Sequence, residues 1–364
     1  MKLDMLCIGN AIIDVFALVD RDMLDSIGLR KPVQHIEYEK IVEILSLLPE
    51  FTTIAGGGAA NVAKIAAMLG LDTGFAGAIG SVRNAPDHFA ALFEQEERNA
   101  GVNTFLAQKD APTGICLVLQ SPEGETYIAA SPAAASLLSP DDIPKETVQA
   151  AKVIVIDGYI LEREALVRHI MQLATEYGTV VALDPGSVSI AAQQARNIAA
   201  YCSDYPLLLF MNEEEAGAFY HALNPIDNNE ESEIEEESTF FEKKDMLNPQ
   251  LYDFFKKQTA HDIFPVITIK LGPKGALVFA NGAVYREEAL AVIPLETTGA
   301  GDTFCAAFLA AWIRGKSLAE CISLGNKVAS QVLDVPGTHI DQQKLSQFAK
   351  TLSGAKGHAS SALL

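Results

Sequence analysis

The chain has little cysteine. Cys7, Cys116, Cys202, Cys305 and Cys321 are spread over 364 positions. The count is odd and no Cys-x-x-Cys pair occurs, which argues against a disulfide framework and against a zinc site. A reduced cytoplasm fits this usage, with Cys7, Cys116 and Cys305 as small core residues in apolar contexts. Basic residues are also scarce: 27 Lys and Arg stand against 47 Asp and Glu, a formal net charge of -20. Nucleic acid and anionic membranes require a basic surface, so neither is expected as a partner. A nucleotide is not excluded, because backbone amides, a helix N-terminus and a metal ion can hold its phosphates. No apolar run approaches the roughly 20 residues needed to cross a bilayer. The opening Met1-Lys2-Leu3-Asp4 leads into one short apolar stretch before Asp14, which reads as a first strand rather than a signal peptide. There is no internal repeat.

What is present is the composition of a folded chain, 49% hydrophobic and 20% charged. Short apolar runs alternate with longer helical patterns. Strands are expected at Leu6–Ile8, Gly74–Ile79, Val153–Ile156, Val180–Asp184, Leu207–Met211, Ile267–Lys270 and Ala276–Phe279. Helices are expected at Asn61–Leu69, Ala90–Asn99, Glu162–Tyr177, Thr303–Arg314 and Leu318–Val332. This alternation implies βαβ units and a mainly parallel sheet with helices on both faces. Ligands of such sheets bind beyond the carboxyl ends of the strands, so the loops after strands are the places to search.

Two regions break the pattern. Gly114–Ser131 holds two β-rich runs around Ser121-Pro122-Glu123-Gly124, a turn sequence, and predicts a hairpin of a small separate sheet. Val15–Val19 could add a strand to it, and lid strands are expected from about 15–50 and 104–133. Residues 224–248 carry a dense run of glutamates with little apolar surface, the signature of a solvated insertion. One domain is expected over 1–346, with a C-terminal tail over 347–364.

The segment Glu296-Thr297-Thr298-Gly299-Ala300-Gly301-Asp302-Thr303-Phe304 places a loop of small residues directly before an apolar helix. Unpaired amides and the helix dipole make such a start an anion site. Asp302 at that point could serve chemistry or could simply cap the helix. Other glycine-rich signals fail. Ala55–Ala63 is rich in glycine, but Asn61 stands where a dinucleotide fingerprint needs its third glycine. Gly315-Lys316-Ser317 ends like a phosphate-binding P-loop, yet it follows a helix and Ala310 occupies the place of the first glycine.

The segment around Asp302 resembles the signature of the PfkB/ribokinase-like kinases, Asp-Thr-Thr-Gly-Ala-Gly-Asp. The resemblance runs nearly the whole length. It implies a ribokinase-like α/β fold with a small β-sheet lid and ATP-dependent phosphorylation of a primary hydroxyl. It implies that Gly299, Ala300 and Gly301 form an anion hole, with Thr298 on the nucleotide side, and that Asp302 is the base for the attacking hydroxyl. Gly9–Val15 resembles the family's first strand and turn, which makes Asp14 a substrate ligand; by itself Asp14 could equally be a loop residue ending a strand. The Gly56-Gly57…Asn61 block resembles the family's N-terminal signature, implying substrate contacts and a lid hinge. Asn212-Glu213-Glu214-Glu215 resembles Asn-x-x-Glu, so Asn212 and Glu215 would organise magnesium through water, although acidic residues in a first helical turn also suit the dipole. Lys270 and Gly272 fall on the phosphate side, and Asn326 falls where relatives contact adenine. Glu296 replaces the family's leading Asp, so no monovalent-cation site is carried over. Gly80-Ser81-Val82-Arg83 and Asp184-Pro185-Gly186-Ser187 also depart from the family pattern, and both are expected to lie outside the phosphoryl-transfer machinery. The subgroup resembled most is that of adenosine kinase-like and sugar kinases. It implies ATP and magnesium, a sugar or nucleoside acceptor with a ribonucleoside favoured, and a possible homodimer. The alternatives are a ribose- or fructose-type kinase and a non-catalytic sugar- or nucleoside-binding protein on the same fold; a dinucleotide oxidoreductase is disfavoured by the missing glycine.

Overall fold

The computed structural model describes residues 2–29, 33–121, 124–225, 247–261, 266–290, 292, 299–333 and 342–353. Its strands are β1 (Leu3–Ile8), β2 (Ile12–Leu18), β3 (Val33–His35), β4 (Thr52–Gly56), β5 (Thr73–Val82), β6 (Ala85–Pro86), β7 (Asn103–Lys109) and β8 (Gly114–Gln120). There follow β9 (Thr126–Ser131), β10 (Ala151–Asp157), β11 (Val180–Asp184), β12 (Leu207–Asn212), β13 (Val266–Lys270), β14 (Ala276–Ala280) and β15 (Ala283–Glu287). The helices are α1 (Arg21–Ile27), α2 (Tyr38–Leu47), α3 (Gly58–Met68), α4 (His88–Asn99), α5 (Lys145–Ala150), α6 (Glu164–Tyr177) and α7 (Val188–Gln193). The rest are α8 (Ala195–Asp204), α9 (Glu213–Leu223), α10 (Pro249–Ala260), α11 (Ala300–Ile313), α12 (Leu318–Ala329) and α13 (Gln342–Ser353).

The main sheet has ten strands in the order β15-β14-β13-β12-β11-β10-β1-β5-β6, with β7 also paired to β5. From β7 through β13 the neighbours along this path run parallel, while β14 and β15 are antiparallel. Period-two alternation divides each central strand between two cores. On β1, Met5 and Cys7 face the core shared with α3, α11 and α12, whereas Leu6 and Ile8 face the core shared with α6, α8 and α9. This is why these strands read as unbroken apolar runs.

A second sheet of five strands, β3-β9-β8-β2-β4, stands beside the first. Its β8–β9 hairpin is the one expected from Gly114–Ser131, and β2 covers the proposed extra strand. The expected lid boundary differs in two places: β4 (Thr52–Gly56) lies beyond the expected 15–50 yet pairs in the second sheet, and the segment expected from about 104 starts too early. Residues 104–109 belong to β7, which pairs with β5 in the main sheet and not with the lid. The tail expected from 347 is helical as far as 353, because Leu345 and Leu352 of α13 are buried and Phe348 packs on the core. Most of the acidic insertion, and the Pro122-Glu123 turn, lie outside the described residues. Four cysteines are buried and Cys116 is half-buried. Among the described residues no helix is long and apolar enough to cross a membrane.

Candidate active site

The carboxyl ends of the parallel strands collect the polar residues. Asp157 ends β10 and Asp184 ends β11, and the two are register partners. Asn212 ends β12 beside Lys270 at the end of β13. The N-terminus of α11 meets this edge: a Cβ at Gly301 would lie 3.2 Å from Lys270 Nζ.

Gly299 opens α11 in the left-handed region, at φ 76°. That conformation favours glycine and turns the chain into the helix. The first helical amide with a carbonyl below it is that of Thr303, which donates to Gly299 O at 2.9 Å. The amides of Ala300, Gly301 and Asp302 precede it, as at any helix start. Asp302 is therefore the third residue of the helix and not its cap, which corrects one of the two sequence readings. Its Oδ2 accepts from Asn61 Nδ2 at 3.0 Å. Asn61 lies in the first turns of α3, whose start at Gly58 would place a Cβ 3.6 Å from Asp302 Oδ1. Burial pushes the Asp302 carboxyl up to about 7, aided by the charges of Asp184 and Asp157 and opposed by the Asn61 hydrogen bond and by Lys270. The side chain remains half-buried and is not sealed into the core.

Lys270 is ion-paired with Asp184 Oδ2 at 2.5 Å. Burial pulls its ammonium down, but Asp184 and Glu215 outweigh it and raise it above the ordinary lysine value. Asn212 and Glu215 form a capping box on α9: Glu215 N–H donates to Asn212 Oδ1 and Asn212 N–H to Glu215 Oε2, both at 2.8 Å. The buried Glu215 carboxyl is pushed up to about 7 by desolvation and by Asp184, against the pull of Lys270. Asp184 thus touches this group directly, contrary to the sequence expectation. Nothing in its spacing marked it; its only sequence signal was its place at the end of a parallel strand. Asp157 was missed for the same reason. It is buried, accepts from Tyr159 N–H at 3.0 Å, and is raised chiefly by burial.

Asp14 lies on β2 of the second sheet. A Cβ at Gly56 would fall 2.1 Å from Asp14 Oδ2, so only glycine leaves room for that carboxylate. Burial pushes Asp14 up to about 6, opposed by the charge of Lys64 and by a hydrogen bond from the Cys116 thiol across the β2–β8 pair. Gly57, at φ 102°, follows directly, and a Cβ there would strike Asn10 O at 2.2 Å. Asn10 accepts from Arg163 at 2.7 Å. The remaining sequence candidates are placed less centrally. Gly272 opens a short 3-10 turn after β13, with open space where a side chain would stand. The Asn326 amide donates to the carbonyls of Glu287 and Glu288 at 3.1 and 3.2 Å, tying α12 to the end of β15. Thr298 and Glu296 lie outside the described residues.

The model of the pfkB family carbohydrate kinases matches residues 4–345. The chain belongs to the pfkB family. Among curated pfkB relatives, the adenosine kinase of Dictyostelium discoideum is 24% identical, covering 93% of this chain and 97% of its own length. A 5-dehydro-2-deoxygluconokinase from Halalkalibacterium halodurans is 26% identical over 91% of this chain and 89% of that one. Among solved structures, a "probable sugar kinase protein" from Rhizobium etli superposes with a TM-score of 0.80 at 21% identity, covering 97% and 99% of the two chains. The adenosine kinase of Sinorhizobium meliloti gives a TM-score of 0.79 at 22% identity, covering 96% and 100%. The ribokinase-like fold and the kinase class of this pfkB chain follow.

Proposed function

We propose that the protein transfers the γ-phosphoryl group of ATP to a primary hydroxyl of a sugar or nucleoside, with Asp302 as the base. One juxtaposition carries this reading. A carboxylate held by Asn61 sits in the first turn of α11, whose first amides have no acceptor within the helix and whose Gly301 lies close to Lys270. Phosphoryl transfer needs little covalent help from a protein; it needs positioning and charge stabilisation. The amides of Gly299, Ala300 and Gly301 and the Lys270 ammonium suit the transferred group, and Asp302 is poised to take the hydroxyl proton. Asn61 Oδ1 is buried without a hydrogen-bond partner among the described residues, so it is available to accept from an incoming hydroxyl. Asp14 supplies a second acceptor for hydroxyls on the lid side.

The residues present fit a magnesium ion held through water. Glu215 is a buried carboxyl strained by Asp184, and a nearby cation would favour its ionised form. The ion, when bound with ATP, would neutralise phosphate charge. Lys270, the last residue of β13, and Gly272, in the turn after it, would face that side.

Adenosine or another ribonucleoside is the first acceptor, in line with the adenosine kinases of D. discoideum and S. meliloti. A sugar-acid acceptor is the second reading, favoured by the 5-dehydro-2-deoxygluconokinase of H. halodurans. A panel of adenosine, ribose, fructose and 5-dehydro-2-deoxygluconate with MgATP, read by ADP release, tests the proposal. Acceptor-dependent ADP release is expected with adenosine first. Release with none of the four counts against a sugar or nucleoside kinase.

A further inference from the structure

Strand β4 is an edge strand of the lid sheet, and its last residues lead straight into the Gly56-Gly57 hinge. Ala55 pairs with Ile13 on β2, yet its own N–H and C=O are held by side chains of the main body. Glu96 Oε2 on α4 accepts from Ala55 N–H at 2.8 Å, and Lys64 Nζ on α3 donates to Ala55 O. These two contacts satisfy backbone groups that an edge strand otherwise exposes. Lys64 stands one helical turn beyond Asn61, the residue that holds Asp302. Behind it, Glu97 is fully buried, 3.8 Å from Lys64 Nζ, with neither carboxyl oxygen hydrogen-bonded among the described residues.

We infer that Lys64 is a positioning residue for the acceptor side of the site: through Ala55 O it fastens the hinge strand to α3, and it brings its ammonium to the backbone next to Gly56, against which the Asp14 carboxylate packs. The inference rests on the reading of Asp14 as an acceptor-binding carboxylate. The groups facing Asp14 are Lys64 from α3 and the Cys116 thiol from β8. Those facing Glu97 are Lys64, Glu96 on its own helix, and Cys7 on β1. Burial pushes Glu97 up to about 8, so near neutral pH it holds its proton and leaves the Lys64 charge free to act on Asp14. Lysine here is more than a donor to Ala55 O, because an uncharged donor could make that bond but could not oppose the desolvation of Asp14.

The test is selective aspartate carboxyl-13C NMR on the full chain, with Asp14 assigned as the resonance lost in Asp14→Asn. The Asp14 titration midpoint is compared in the native protein, Lys64→Met and Lys64→Gln. The midpoint is expected near 6 in the native protein. Loss of the ammonium is expected to raise it by about one unit in both variants, a tenfold change in the ionisation constant. On the acceptor identified by the panel, KM at pH 6.5 is expected to rise about threefold and to converge with the native value at pH 8.5, with kcat unchanged, since moving the midpoint from about 6 to about 7 lowers the ionised fraction at pH 6.5 about threefold. A midpoint unmoved in a folded Lys64 variant overturns the inference, as does a kcat loss that is equal at both pH values. An unchanged acceptor KM in Asp14→Asn is a different result: it removes Asp14 from the acceptor site and leaves the NMR outcome for Lys64 to be read by itself. Two replacements are used so that a folding failure of the methionine variant still leaves the glutamine variant to decide.

Discussion

Asn61 Nδ2 donates to Asp302 Oδ2 at 3.0 Å, joining the starts of α3 and α11 across 241 positions of sequence. The bond joins the carboxylate proposed as the base to the helix that follows Gly56-Gly57, so that in the proposed reading acceptor-side and phosphate-side elements meet at one carboxylate. It also favours the ionised form of that carboxylate, against burial and two neighbouring acids.

Activity should therefore depend on the Asp302 proton. A base works only when ionised, so kcat/KM is expected to rise with pH through a midpoint near 7 and to fall below it. Asn61→Ala removes a bond that lowers the carboxyl, and its acidic limb is expected to move to higher pH. A pH–rate profile of both proteins checks this; a midpoint that stays in place in the variant would remove Asn61 from control of the base.

Lys270 is half-buried against Asp184 and faces the charge of Glu215, and removing it strands both carboxylates. Lys270→Met is expected to destabilise the fold by about 3 kcal/mol, in the range for a broken buried pair. It should also weaken MgATP binding. Adding Asp184→Asn should recover much of the stability and none of the nucleotide affinity. Urea unfolding and calorimetric titration separate the two effects.

Gly56 gives Asp14 its room. Gly56→Ala would drive a methyl carbon to within 2.1 Å of the carboxylate, so Asp14 must move. The acceptor KM is expected to rise about tenfold or more, while ATP affinity is preserved, because the change is confined to acceptor binding. Steady-state kinetics with each substrate varied in turn decides it.

The four motif blocks were legible because each is local: Gly299–Asp302, Gly56–Asn61, Asn212–Glu215 and the β13 turn keep their chemistry within a few residues. Asp157 and Asp184 were not. Each is a single acid at a strand end, and their pairing is a matter of sheet register, which spacing does not reveal. Lys64 and Glu97 are likewise invisible in sequence, because their meeting depends on how α3 packs beside α4. The lid segment expected from about 104 begins too early, because parallel pairing with β5 takes residues 103–109 into the main sheet. From its place beside a helix start Asp302 could be read as a cap or a base; the resemblance favoured the base, and the Gly299 conformation moves the cap upstream.

Glu97 predicts a pH-dependent stability difference. Its folded carboxyl is raised to about 8 from an ordinary value of 4.5, so between those values the folded state holds a proton that the unfolded state has lost. Stability falls as pH rises through this window, and the loss is complete above it. Glu97→Gln does not titrate there. Its stability relative to the native protein is expected to be similar near pH 4.5 and to be greater by a few kcal/mol, on the order set by the pKa displacement, at pH 9. Thermal unfolding at the two pH values measures the difference.

The measurement that bears most directly on the account is turnover of Asp302→Asn set beside its nucleotide binding. The expected result is a loss of about 10²- to 10⁴-fold in kcat for acceptor-dependent ADP release, the usual contribution of a positioned base, with ATP affinity unchanged. Native-like turnover in a folded Asp302→Asn protein would contradict the assignment of this carboxylate as the base.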